Sequence, residues 1–123
     1  MNFIAVFIGG GLGAVVRYIL NLITPNYTYL PLATIIANFC GCFLATVVFV
    51  YFAMKSGLNP TFKIFLITGF CGGLSTLSAL SLELLKFIQS DDYMKAAIYV
   101  LLTVIICTIA VLLGLFFVKN NFS

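Results

Sequence analysis

The chain has 123 residues, of which 63% are hydrophobic and 7% are charged, and its formal net charge is +3. This composition is too apolar for a soluble domain of the same length, and it contains no basic run that would indicate a nucleic-acid partner. We therefore expect one polytopic membrane domain over residues 1–123. Four hydrophobic stretches have roughly the 20 residues that a helix needs to cross a bilayer.

The first stretch runs from about residue 3 to residue 23. It lacks the basic start and the cleavage site of a signal peptide, so we expect it to be retained as a span. Gly9 and Gly13 form a G-x-x-x-G pattern, which indicates close helix packing within or between subunits. The guanidinium of Arg17 either reaches the lipid headgroups or places a positive charge at the mouth of an anion pathway.

The second stretch, from about residue 30 to residue 54, follows the turn TPNYTYLP, whose tyrosines suit a membrane interface. Asn38 lies near its middle, where an amide is costly unless it has partners. It indicates either a hydrogen bond between helices or a donor that lines a pore. Cys40 and Cys42 point to nearly opposite sides of the helix and are typical of free packing thiols. The chain has no histidine, which excludes a Cys/His zinc site.

The third stretch, from about residue 62 to residue 89, is interrupted by GFCGGLSTLSALSLE. Glycine and hydroxyl residues have poor helix propensity, so we expect a break near residues 72–76, close to the bilayer midplane. The break indicates either a kinked packing helix or backbone that lines an aqueous cavity. In the second case, freed carbonyls would suit a cation and freed N–H groups an anion. The hydroxyl residues available there are Ser75, Thr76, Ser78 and Ser81.

Two further features of the third stretch are a second G-x-x-x-G, formed by Gly69 and Gly73, and the carboxylate of Glu83. The glycines again indicate a packing face. Glu83 is the only acidic residue within a predicted span. A carboxylate inside a membrane is a candidate functional group, unless it lies close enough to the interface to be hydrated.

The fourth stretch runs from about residue 93 to residue 118, and we expect Ser90 to cap its start. Tyr99, Thr103 and Cys107 recur every four residues, so they form one narrow polar stripe along the helix. Such a stripe could line a path for a polar solute. The chain offers no nucleophile–base pair and no cluster of metal ligands, so we do not expect an enzyme.

The long continuous runs predict helices rather than the alternating short strands of a barrel, and four spans place both termini on one side. Basic residues do not choose an orientation, because each end carries three of them. They are Lys55, Lys63 and Lys119 at one end, and Arg17, Lys86 and Lys95 at the other. The tie indicates either random scatter or a dual-topology protein that pairs antiparallel. A dimer would also supply more interior for a polar path than four short helices can.

Three segments together give the chain a resemblance to a known family. GGGLGAVVRY lies on the first stretch, and TIIANFCGCF surrounds Asn38. GFCGGLSTLSALSLE is similar to the run G-x-x-G-G-(S/T)-T-F-S-T-F-S-x-E of that family. Over essentially its whole length the chain resembles the Fluc/CrcB fluoride ion channels, which are small bacterial membrane proteins with four helices.

The resemblance implies a passive channel that exports fluoride from the cytoplasm across the bacterial inner membrane. It implies an antiparallel, dual-topology homodimer with two pores and a central structural sodium ion, held by the backbone carbonyls of Gly72 and Ser75 of both subunits. It also implies that Arg17 lies in the vestibule. The residues that it implies for the fluoride path are Asn38, Leu77, Ser78, Leu80, Ser81, Glu83, Tyr99, Thr103 and Cys107.

The chain departs from the family pattern on the third stretch. The family has two phenylalanines there whose ring edges, which carry positive partial charge, face the fluoride path. This chain has Leu77 and Leu80, with Ala79 in place of the intervening threonine. The departure leaves open a diverged subunit of a heterodimeric channel with a weakened pore, or a partner that does not transport. A small multidrug-type antiporter is a further alternative, but that class needs a carboxylate on its first helix, and this chain has none there.

Overall fold

The computed structural model describes residues 1–25 and 29–123, and over these residues its regular structure is entirely helical. Four helical spans are long and apolar enough to cross a membrane: Asn2–Ile23, Leu32–Met54, Pro60–Gln89 and Tyr93–Phe122. The prediction of an all-helical, multi-pass membrane protein is confirmed. The expectation that Tyr27 sits at a membrane interface concerns Asn26–Thr28, which lie outside the described residues.

The first, second and fourth spans are single helices: α1 (Asn2–Ile23), α2 (Leu32–Met54) and α6 (Tyr93–Phe122). Helix α2 begins two residues later than the expected residue 30, because Pro31 occupies its N-cap. Helix α6 has 30 residues and continues past the expected residue 118. Lys119 lies in its last turn, where a positive charge interacts favourably with the helix dipole and stabilises the helix.

The third span consists of four consecutive segments. They are α3 (Pro60–Ile64), a π-helical segment (Phe65–Cys71), α4 (Gly72–Leu74) and α5 (Ser78–Gln89). We expected the interruption near residues 72–76, and within that range the chain stays helical through Leu74 and becomes extended at Ser75, with ψ 147°. The glycines therefore do not mark the interruption itself. Their role is in packing.

The start of α6 differs from the prediction. Its N-cap is Asp92, whose Oδ1 accepts the backbone N–H of Lys95 at 3.2 Å. Ser90 instead ends α5, and its hydroxyl donates to the carbonyl of Lys86 at 2.9 Å. The prediction of Ser90 as the cap was wrong because the turn needs two more residues, and Asp91 adopts a positive φ of 56° within it. A carboxylate at Asp92 satisfies the same N–H groups that a serine would.

Glycines bring α1 against the third span with the two backbones in contact. A Cβ atom added at Gly73 would collide with the backbone of Gly10, and one added at Gly13 would collide with the backbone of Phe70. One added at Gly69 would lie 3.0 Å from the Cα atom of Gly9. The prediction that both G-x-x-x-G patterns are packing faces is confirmed, and they pack against each other within one chain.

Helices α2 and α6 are the second and fourth spans, so they run in the same direction, and they pack side by side. Gly114 of α6 lies close to the backbone of α2: a Cβ atom added at Gly114 would be 3.0 Å from the carbonyl oxygen of Phe43. The rings of Phe43 and Phe117 lie 6.0 Å apart. The outer faces of α1 and α6 expose many large apolar side chains, which suits contact with lipid or with another membrane helix.

Candidate functional site

Two polar stripes face each other between α2 and α6. Thr34, Asn38 and Cys42 lie four residues apart on α2, and Tyr99, Thr103 and Cys107 have the same spacing on α6. Residues at this spacing share one face of a helix. Because the two helices are parallel, the stripes match level by level, with the third span closing over them.

The first level is a carboxylate held by two hydroxyl groups. The Thr34 hydroxyl donates to Glu83 Oε1 at 2.7 Å, and the Tyr99 hydroxyl donates to Glu83 Oε2 at 2.5 Å. Thr34 is 2% exposed and Tyr99 is fully buried. Glu83 is therefore fixed by α2 and α6 rather than simply hydrated at the interface, and the two hydroxyls form a donor pair directed at a negative charge.

The second level joins Asn38 to the interruption in the third span. Asn38 Oδ1 accepts the backbone N–H of Thr76 at 2.6 Å, and Asn38 Nδ2 donates to the carbonyl of Thr76 at 3.2 Å. The Thr76 hydroxyl in turn accepts the N–H of Ala79 at 3.2 Å and so caps the first turn of α5. Of the two interpretations of Asn38, the hydrogen bond between helices is the one observed. The second hydrogen of Nδ2 leaves one donor for another partner.

The groove between the stripes has a volume of about 490 Å³ and opens on the surface of the chain. Apolar atoms make up most of the surface that lines it. Its polar lining residues are Asn38, Cys42, Ser75, Thr76, Thr103, Cys107 and Thr108. The Thr103 hydroxyl donates to the carbonyl of Tyr99 at 2.8 Å, and that of Thr108 donates to the carbonyl of Val104 at 2.8 Å, so both hydroxyl hydrogens are used within α6.

A second cavity, of about 320 Å³, lies at the end of the molecule that carries the loops between the first and second spans and between the third and fourth. Glu83, Lys86 and Lys95 line it. The ammonium group of Lys95 lies over the rings of Tyr29 and Phe87, 4.4 Å and 5.0 Å from their centroids. Such cation–π contacts fix the position of the charge. This cavity reaches the Glu83 carboxylate from outside.

Leu77 and Leu80, at the positions of the family's phenylalanines, have different environments. Both line the groove. Leu77 is 75% exposed at its rim, whereas Leu80 is 7% exposed and packs with Ile35 and Tyr99 in the hydrophobic core. Leu80 therefore lies between the groove and the Glu83 level, and Leu77 has room for a larger side chain.

Six of the predicted site residues do not line this groove: Arg17, Gly72, Ser78, Ser81, Glu83 and Tyr99. Ser78 and Ser81 are on the exposed face of α5, where the Ser81 hydroxyl donates to the carbonyl of Leu77 at 2.9 Å. Arg17, on α1, lines neither of the two cavities, and its Nε atom is buried without a hydrogen-bond partner among the described residues. Within one chain, the structure therefore groups only part of the predicted set.

The interruption changes the hydrogen bonding of the backbone at Gly72 and Ser75. The N–H of Thr76 donates to Asn38 rather than to the carbonyl of Gly72, its partner in a regular helix. The extended ψ of Ser75 turns its own carbonyl away from the helix axis. Both carbonyls are thus candidate ligands. Backbone carbonyls of unwound membrane helices are suitable ligands for sodium.

Sequence reasoning missed Thr34 and the position of Cys42 in the polar stripe. The sequence singles out Asn38 and the polar stripe on α6 as separate features. The four-residue spacing of Thr34, Asn38 and Cys42, which equals that of the stripe on α6, is the signal that could have indicated two facing stripes. The spacing alone does not show that the two helices are in register. That requires the contacts of Glu83 and Thr76 across the third span.

Comparison with known proteins gives one consistent match. The family model described as "CrcB-like protein, Camphor Resistance (CrcB)" matches residues 4–115. A protein of Flavobacterium psychrophilum named "Fluoride-specific ion channel FluC" is 39% identical over 92% of this chain and 93% of its own length. One of the same name from Hydrogenobaculum sp. is 38% identical over 94% and 96%, and "Fluoride-specific ion channel FluC 1" of Yersinia pestis is 36% identical over 98% and 94%. The chain therefore belongs to the CrcB-like family.

Proposed function

We propose that this chain forms a passive, fluoride-selective channel that exports fluoride from the cytoplasm. Its relatives carry the name of fluoride-specific ion channels, and the family is one of ion channels rather than enzymes. The chain itself supplies a polar route through an otherwise apolar molecule. The proposed route would run from the outer cavity at Lys95, past Glu83, Tyr99 and the intervening Leu80, to the groove at Asn38 and Cys107.

The observation that carries the proposal is the convergence of two hydroxyl donors on one negative charge. An anion that leaves water for a membrane protein must exchange its hydration shell for donors along the path. Thr34 and Tyr99 already hold a carboxylate oxygen each, at 2.7 and 2.5 Å. Fluoride is a small anion that accepts hydrogen bonds, so the same pair can bind it as the Glu83 side chain moves aside. The free hydrogen of Asn38 Nδ2 offers the next donor.

The proposal includes an antiparallel homodimer with two pores. The groove is open along one side, and the exposed Leu77 lies at its rim, so the described residues of one chain do not enclose a pore. A second copy of the chain would close the groove and also cover exposed apolar surface. Two equivalent grooves would then give two pores. The equal number of basic residues at the two ends agrees with insertion in both orientations.

A sodium ion at the centre of this dimer is part of the same proposal. Gly72 and Ser75 of each subunit would hold it through their carbonyl oxygens, and the ion would link the two interruptions by coordinating both. The donor set fits, because the Asn38–Thr76 hydrogen bond frees the Gly72 carbonyl. Replacing Gly72 by leucine is expected to disrupt dimer assembly and sodium-dependent thermal stability. A stable dimer with an unchanged response to sodium would contradict the site.

The test of the function is fluoride efflux from liposomes that contain only this purified chain, compared with chloride efflux and with empty liposomes. Fluoride-selective efflux is expected. Tyr99→Phe keeps the ring but removes a donor, and should lower the flux about tenfold, the effect of losing a charge-assisted hydrogen bond of ~1.5 kcal/mol. Tyr93→Phe is the matched control, since Tyr93 makes only an exposed 3.4 Å contact to Asp91. No fluoride efflux from folded chain would contradict a conducting homodimer.

Leu77 and Leu80 support a second candidate, a diverged subunit of a heterodimeric channel. Neither side chain offers the positive ring edge that the family's phenylalanines provide. In that case the chain would conduct only with a homologous partner that carries the aromatic residues. Co-expression and co-purification with such a homologue, followed by the same efflux assay, separates the two: flux from the pair but not from this chain alone identifies the heterodimer. In both cases the protein would reside in the bacterial inner membrane.

A further inference from the structure

The third level of the two stripes is a pair of thiols, of which the proposed fluoride path includes Cys107 but not Cys42. Cys42 follows Asn38 by one turn on α2, and Cys107 follows Thr103 by one turn on α6. Both line the groove and both are partly buried. They therefore face each other across the helix interface, in a space that solutes can enter.

The surroundings of the pair decide what it can bind. Among the described residues, no cluster of three or more His, Cys, Asp or Glu side chains could hold a metal ion, so a tetrahedral zinc site is not formed here. Two thiolates without a third ligand suit a soft metal cation that accepts two sulfur ligands in a line. The apolar groove favours a bound species with no net charge.

We propose that Cys42 and Cys107 form a two-thiolate site for a soft, two-coordinate metal cation, and that its occupation obstructs the groove. With a divalent ion, two S–H bonds break, two sulfur–metal bonds form and two protons leave to water, without oxidation or reduction. The product is a neutral bridge between α2 and α6. Because the bridge spans the groove beside Asn38 and Thr103, an anion cannot pass it.

The first experiment titrates the purified, detergent-solubilised chain with Hg²⁺ and follows the ultraviolet absorbance of the sulfur–mercury bonds. One two-thiolate site per chain is expected. Cys42→Ser or Cys107→Ser should each weaken binding at this site by about 100-fold or more, because the second thiolate then no longer acts at high effective concentration. Cys40→Ser is the matched control, since Cys40 lies two residues from Cys42 on the other side of α2 and does not line the groove.

The outcomes are distinct. Loss of the site in Cys42→Ser and Cys107→Ser, with retention in Cys40→Ser, supports the proposal. Retention of a full-strength two-thiolate site in Cys42→Ser, or its loss in Cys40→Ser, overturns it. Gel filtration and circular dichroism of each variant identify any loss of folding, and Cys→Ala at the same positions supplies a second replacement. Binding is measured without transport, so this test remains valid if the chain conducts no fluoride.

A second measurement tests the obstruction. Hg²⁺ is expected to block fluoride efflux from liposomes that contain the wild-type chain or Cys40→Ser, and not from those that contain Cys42→Ser. Equal block of wild type and Cys42→Ser would overturn the claim that the bridge closes the groove. Reversal of the block by excess dithiothreitol is expected, since a dithiol competes for the metal.

Discussion

At the scale of single residues, Asn38 is the side chain on which the interruption of the third span depends. Its amide replaces two backbone partners of Thr76, one donor and one acceptor, at distances of 2.6 and 3.2 Å. Unpaired backbone groups in an apolar environment are costly, so a membrane helix can be interrupted only where such replacements exist. Asn38 therefore positions the third span in addition to offering a donor to the groove.

Asn38→Ala should destabilise the protein and lower its flux. The substitution leaves the N–H and the carbonyl of Thr76 without partners, at about 1–3 kcal/mol for each buried group. Thermal unfolding in detergent measures the loss. Asn21→Ala is the control, because Asn21 is exposed and donates only to the carbonyl of Arg17 in its own helix. Equal unfolding temperatures of the two variants would show that Thr76 finds other partners.

Leu77 and Leu80 should respond differently to phenylalanine. Leu77→Phe adds a ring at the exposed rim of the groove and is expected to raise fluoride flux without loss of stability. Leu80→Phe adds volume in the packed core beside Ile35 and Tyr99 and should cost about 1–3 kcal/mol. Efflux assays and thermal unfolding of both variants check this. Unchanged flux in Leu77→Phe would mean that the aromatic edge is not what limits conduction.

At the scale of elements, the sequence predicted packing faces and polar stripes better than it predicted local backbone. Glycine spacing and four-residue polar spacing depend only on helix geometry, so Gly9, Gly13 and the stripe on α6 could be assigned from one helix at a time. The break was predicted only to residues 72–76, and its place at Ser75 within them could not be assigned from one helix, because Asn38 of another helix stabilises it. The cap of α6 at Asp92 rather than Ser90 depends on a positive φ at Asp91.

Gly13→Ala should separate α1 from the third span. The added methyl group would collide with the backbone of Phe70, which no side-chain movement can relieve, and overpacking of this kind costs about 1–3 kcal/mol. Gly11→Ala is the control, since a Cβ atom at Gly11 meets no atom within 4 Å. Thermal unfolding of the two variants gives the comparison. A larger loss in Gly11→Ala would instead place the critical contact outside the chain.

At the scale of the whole molecule, the apolar composition and the lengths of the hydrophobic stretches were enough to predict one membrane domain with four spans, because the bilayer fixes the length of a crossing helix. They do not show how the spans are arranged. The proposed dimer rests on the open groove, the exposed apolar faces and the balance of basic residues between the two ends. Ser78, Ser81 and Arg17 do not line the groove of one chain. In the proposed dimer they would contact the second subunit.

The balance of basic residues makes orientation sensitive to few charges. Asn120→Lys with Asn121→Lys adds two basic residues to the end that carries Lys119, so nearly all chains should insert with that end in the cytoplasm. Antiparallel dimers would then become rare and flux should fall sharply. Co-expression with a variant biased the other way, Gln89→Lys with Ser90→Lys, should restore it. Accessibility of a C-terminal tag from each side of the membrane reports the orientation, and a one-sided wild type would contradict dual topology.

The length of α6 has a consequence for the membrane around it. Its 30 residues correspond to about 45 Å, whereas the 22 residues of α1 correspond to about 33 Å, close to the ~30 Å of a bilayer's hydrocarbon core. A helix longer than the core must tilt, project beyond it or locally thicken the lipid. Since α6 carries one wall of the groove, its tilt sets the separation of the two polar stripes. Acyl-chain length should therefore change conduction in bilayers that are otherwise identical, and thicker membranes should accommodate α6 with less tilt.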